Sequence, residues 1–261
     1  MSLLHSFYCW GHVALVLVTT AFLAIFGEGS WPVLACLWAL VPLANIALFR
    51  LVPLADVTAG HEKLSLGRLL RQPLFWLLLG LMVCAGASEQ AMSQWASAFA
   101  ESGLNISKTL GDLAGPCAFA TLMGLSRALY GKYADRIPLR GFMLGSCGLC
   151  ILCYVVAAWS GQAVLAMLGC ALCGFAVGIF WPGTFSMASA SLRRGGTALF
   201  CMLALAGDLG CSLGPTVVGM VSSAVRDNLK IGILVAILFP LLLTLCVQLR
   251  KRMQRAAAGR G

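Results

Sequence analysis

Few residues in this chain can do chemistry, and most of them lie inside apolar runs. Glu89 and Gln90 open the polar half of "GASEQAMSQWASAF", followed by Ser93, Gln94, Trp95 and Ser97. At 1.5 Å per residue, Glu89 sits roughly 24 Å along a helix that starts near Pro73. Gln90, Gln94 and Ser97 are spaced to share one helical face, a face able to hydrogen-bond a hydroxylated ligand beside an indole. The second reading puts Glu89 at the outer interface, with the glutamines bonding neighbouring helices.

A second carboxylate, Asp208, lies in "LALAGDLGCSLGPTVVG", about twelve residues into another apolar run. Gly207, Gly210, Gly214 and Gly219 would let helices approach closely there, and Pro215 would free a carbonyl. A mid-membrane carboxylate can carry a proton, touch substrate or form a fixed ion pair. Arg127 is the available partner for Asp208 if the helices touch. Trp181 in "FWPGTF" precedes Pro182, and a kink there would turn the indole either into a cavity or towards the headgroups. His12 reads as a packing residue.

Two further patterns are decoys. Cys147-x-x-Cys150 and Cys170-x-x-Cys173 satisfy a zinc-ribbon spacing, but four thiolates inside apolar helices would place net negative charge in lipid. We read the twelve cysteines as small apolar residues, and we expect no metal and no cofactor. Asn105-Ile-Ser107 fits a glycosylation sequon by accident of a short loop. With three histidines, no His-Glu-x-x-His and no phosphate loop, the chain is not expected to be an enzyme.

The elements that must hold these residues follow from composition. Hydrophobic residues make up 60% of the chain and charged ones 10%, with a mean hydropathy of +0.92. That balance belongs to a membrane protein. A span needs about 20 apolar residues, which gives about eight: 8–26, 31–51, 73–100, 110–133, 141–159, 163–192, 196–225 and 229–248. The fold class expected is all-α and polytopic. The first run lacks basic residues before Arg50 and a convincing cleavage site, so we read it as a retained helix rather than a signal peptide.

Orientation comes from the 18 Lys and Arg. With eight spans, fourteen fall on the side of the termini and three on the other (Lys108, Arg226 and Lys230), Arg127 remaining inside a helix. The rule predicts cytoplasmic termini. The net charge of +9 then marks topology and contact with membrane lipids, and no nucleic acid is invoked.

The strongest cluster is "GLSRALYGKYADRIPLRG" at 124–141. Gly131-Lys-Tyr-Ala-Asp135-Arg136-Ile-Pro-Leu-Arg140 resembles the Gly-x-x-x-Asp-Arg-x-Gly-x-Arg loop of major facilitator superfamily transporters, with Pro138 departing from the second glycine. The resemblance implies that the chain corresponds to helices five to twelve of a twelve-helix permease, and its texture is similar to the bacterial sugar and fucose permease branch. It implies a layout of two helices from a first repeat (1–52), a cytoplasmic linker (53–72), a six-helix second repeat (73–249) and a basic tail (250–261).

The same resemblance implies alternating-access transport of a sugar-like small molecule with protons, in a bacterial inner membrane. The substrate candidates are Glu89, Gln90, Gln94, Trp95 and Trp181; Asp208 and Arg127 are the coupling or ion-pair candidates. Gly131, Asp135, Arg136 and Arg140 would form a cytoplasmic gating loop, with Asp135 pairing to a helix N-terminus, Arg127 or Arg136. A missing first half or a homodimer mate would complete the cavity. The alternative is a membrane scaffold or inactive fragment.

Overall fold

The computed structural model describes residues 2–53 and 64–258. Residues 54–63, at the centre of the expected linker, and 259–261, at the end of the expected tail, lie outside the described residues, and with them Lys63 and Arg260. In chain order the helices are α1 (Ser2–Phe26), α2 (Trp31–Leu51), α3 (Leu66–Leu70), α4 (Pro73–Ser93), α5 (Ala96–Ala98), α6 (Lys108–Asp112), α7 (Ala118–Tyr133), α8 (Leu139–Trp159), α9 (Ala163–Val177), α10 (Phe180–Ser191), α11 (Gly196–Ala224), α12 (Leu229–Val235) and α13 (Leu238–Ala258). A 3₁₀ turn precedes α2, and π-helical turns at Phe99–Gly103 and Leu113–Cys117 join the short pieces between α4 and α7. The protein is an all-α polytopic membrane protein.

Among the described residues, seven helices are long and apolar enough to cross a membrane, not the eight expected. The difference is the 108–133 segment. It is helical along its length, with a π turn around Pro116, but Asp112, Arg127 and Lys132 make it more polar than the other runs. It packs between α1 and α9 all the same.

Breaks inside the long spans coincide with proline or with a change of helical pitch. The 163–191 run breaks at Gly178–Ile179, four residues before Pro182, and the 73–102 run breaks after Ser93. A proline has no N–H for the carbonyl four residues earlier, so Gly178 loses its usual helical partner when Pro182 follows.

The core gathers around α4, whose residues from Leu81 to Ser93 are almost all buried. It packs on α11, α13, α10 and α9. Lipid offers no hydrophobic drive for helix association, so close van der Waals contact has to hold these helices together. At the α4–α11 crossing a side chain on Gly86 would strike the Gly207 carbonyl, and ones on Gly210 and Gly214 would strike the Val83 and Ala87 carbonyls. The glycines of 207–219 are therefore contact residues, as their spacing predicted. By contrast α2 touches α1 and the turn before it, and Leu34 alone among its residues is buried.

Candidate functional site

Arg127 is the structural hub. It projects from α7 and is 2% exposed, and each of its guanidinium nitrogens has its own acceptor. Nη2 donates to Glu89 Oε2 of α4 at 3.2 Å, Nη1 to the His5 carbonyl of α1 at 3.0 Å, and Nε to the Gly178 carbonyl at 2.9 Å. The last acceptor is the one Pro182 frees. The Tyr8 ring lies 5.7 Å from the guanidinium carbon, in range of a cation–π contact. Ser2 Oγ closes the arrangement by donating to the Arg127 carbonyl at 2.8 Å.

The partner therefore differs from the one expected. Arg127 pairs with Glu89, 5% exposed at its side chain, while Asp208 is exposed on α11 and makes no ion pair within 4 Å among the described residues. The physical reason is helix placement: α4 brings its carboxylate to α7, whereas α11 packs against α4 and α12 instead. The interface reading of Glu89 fails for the same reason, since the residue is buried.

Glu89, Arg127 and Asp208 nevertheless face one cavity of about 290 Å³, lined also by His5, Tyr8, Gln90, Trp181 and Cys211. That volume is near the lower end of small-molecule pockets, roughly 300–1,000 Å³. Trp181 is among its lining residues, its indole ring lying over Gly207, where any side chain would collide with it. Its Nε1 is buried and has no hydrogen-bond partner. The cavity thus combines an indole, a glutamine, a paired carboxylate and a carboxylate with no ion pair within 4 Å among the described residues.

Other candidates lie elsewhere. Gln94 stays one helical turn above Gln90, its N–H donating to the Gln90 carbonyl at 3.1 Å, but it is not among the residues that line the cavity, and Ser97 lies beyond the turn that follows Ser93. Gln94 is exposed. Trp95 Nε1 donates to the Pro215 carbonyl at 3.0 Å, and its ring packs over Gly219. Ser97 hydrogen-bonds Asp112, which also takes a 3.4 Å bond from Thr20 Oγ1. Sequence reasoning missed Asp112, whose place two residues inside a predicted span was the available signal. It also missed His5, Tyr8 and Cys211, which sit on apolar runs without a motif. His12 contacts the Tyr8 ring edge-on at 6.2 Å.

The 131–140 loop sits at the opposite end of α7 from Asp112. Gly131 lies against the Leu3 backbone, so that an added side chain would come within 3.1 Å of the Leu3 nitrogen. Asp135 and Arg136 are exposed, and neither makes an ion pair within 4 Å among the described residues. Arg127, committed to three other acceptors, is not Asp135's partner. Arg140 is half-buried, with an unpartnered Nε. The thiols of Cys150 and Cys173 meet at 3.9 Å between α8 and α9.

A model of the Major Facilitator Superfamily matches residues 1–215, which runs from the start of the chain through the cavity-lining part of α11. The chain belongs to the major facilitator superfamily. No curated protein matches it. As a member of a family of secondary transporters, this major facilitator protein is an integral membrane protein that handles small-molecule solutes within the lipid bilayer. Its central cavity is the candidate solute site.

Proposed function

We propose that this major facilitator protein carries a small hydroxylated solute, sugar-like in its hydrogen bonding, across a bacterial inner membrane by alternating access and in step with protons, both termini being cytoplasmic. The observation that carries this reading is a cavity lined by Gln90, the Trp181 indole and Asp208, which makes no ion pair within 4 Å among the described residues. A hydroxyl accepts from an amide N–H and donates to a carboxylate at once. Glu89 and Arg127 hold the wall together, and Asp208, outside that ion pair, takes the proton-coupling role. The excess of basic residues on one side supports the orientation.

The test is uptake of labelled monosaccharides into proteoliposomes under an inward proton gradient. Gln90→Ala removes an amide from the cavity wall, so KM should rise about two- to tenfold, the worth of one hydrogen bond, while Gln94→Ala should leave KM unchanged. Asp208→Asn should abolish gradient-driven uptake and leave solute exchange running. Gradient-driven uptake that survives this variant would remove Asp208 from coupling.

The family layout adds two linked proposals. Tyr8 and Asp208 are exposed within membrane-spanning helices, and an ionisable surface of that kind is costly against hydrocarbon. This supports a reading of 1–52 as the end of a first repeat and 73–249 as a second repeat, with the polar wall covered by a first half or by a second copy of the chain. The loop with Gly131, Asp135, Arg136 and Arg140 would then latch one state of the transporter. Asp135→Asn should slow uptake at unchanged KM; full-speed uptake in this variant would rule the latch out.

A further inference from the structure

We propose that Arg140, Lys251 and Arg255 form a binding site for the phosphodiester headgroup of an anionic phospholipid, at the end of the bundle where α8 begins and α13 ends. The three side chains come from two helices that pack on each other. Lys251 and Arg255 stand one helical turn apart on α13, and the Arg140 charge acts on Lys251 from α8, so three like charges gather at this end of the bundle. No acid among the described residues offsets them: the one ion pair within 4 Å is the Arg127–Glu89 pair of the cavity. The Arg140 Nε is buried and has no hydrogen-bond partner among the described residues, an N–H donor taken from water.

The helix end beside Arg140 has the same deficiency. α8 has no acidic residue in its first turn and no side-chain cap, so its first backbone N–H groups and the positive end of its dipole also lack an anion. The neighbouring Arg250 is engaged elsewhere, spending Nε and Nη2 on Ser191 Oγ at 3.1 and 3.0 Å. A phosphodiester supplies the acceptor oxygens and the negative charge that all these groups lack. A lipid is the source because the site lies where the apolar run of the last span, Leu229–Met253, gives way to basic residues, the level at which basic pockets between helices meet headgroups. Leu238, Leu241, Leu242 and Leu245 on α13 are exposed and offer acyl chains an apolar wall beneath it.

The experiment is native mass spectrometry of the detergent-purified full chain, titrated with dioleoylphosphatidylglycerol, with dioleoylphosphatidylcholine and with inorganic phosphate. The expected result is retention of phosphatidylglycerol over phosphatidylcholine. Arg140→Gln, Lys251→Gln and Arg255→Gln should each weaken it about fivefold, the effect of one basic group near a membrane surface. The comparison variant Arg68→Gln with Arg71→Gln removes two basic charges at other positions and should retain the lipid as wild type does. Equal loss in this comparison variant would overturn the site in favour of general charge attraction. Inorganic phosphate binding with no lipid preference would overturn the headgroup assignment, and equal retention of the two lipids would overturn the site altogether. Because the readout is lipid retention, it stands or falls independently of solute transport.

Discussion

Replacing Arg127 by methionine should lower the melting temperature of the detergent-solubilised protein by about 10 °C, and Glu89→Gln should come close to it. Breaking a buried ion pair from one side costs about 3–5 kcal/mol, because the remaining charge stays buried without a partner, and a domain of this size loses roughly 2–4 °C per kcal/mol. Both side chains are buried within the bundle, so water cannot easily compensate. The double variant Glu89→Leu with Arg127→Met removes both charges and should recover much of the loss. Recovery will be incomplete, since the His5 and Gly178 carbonyls also lose their donor. Single variants that melt with the wild type would show that the pair contributes nothing to stability.

Gly210→Ala should be nearly as damaging by a different route. The added methyl group meets the Val83 carbonyl, a backbone atom of α4 that cannot rotate aside. Either α4 and α11 move apart or the backbone distorts, and overpacking of this kind costs about 1–3 kcal/mol and occasionally more. Gly174→Ala should behave alike, because its methyl meets the Phe119 carbonyl. Gly145→Ala and Gly148→Ala are the comparison, since nothing lies within 4 Å of the added atom. The measurement is the monodisperse fraction on size-exclusion chromatography after mild heating. A Gly210→Ala protein that survives as Gly145→Ala does would mean that α4 and α11 are not in close contact in the bilayer.

Hydropathy alone located the helices, because a run of apolar residues in lipid has few other ways to satisfy its backbone. The 108–133 segment shows the limit of that signal: its Arg127 is buried against other helices and its Asp112 half-buried, so its composition understates its place in the bundle. Arg127 was visible as an isolated intramembrane charge, and its need for a partner followed from cost alone. Which partner was not visible. Glu89 and Asp208 offer the same chemistry in the sequence, and the choice between them depends on which helix lies against α7. Trp181 was visible through the neighbouring Pro182. The absence of Gln94 and Trp95 from the cavity was hidden because it depends on where the cavity stops along α4 and on the Pro215 carbonyl that takes the Trp95 indole N–H.

The bend before Pro182 has a mechanical consequence. Its freed carbonyl at Gly178 is gripped by the same guanidinium that holds Glu89 and the first helix. A hinge left to itself could flex without disturbing its neighbours, but this one is tied to three others by a single planar group. Straightening the 163–191 span would pull on Arg127 and thereby on the wall of the cavity, so a change in the angle of that span would be transmitted to the Glu89 side chain and the first helix.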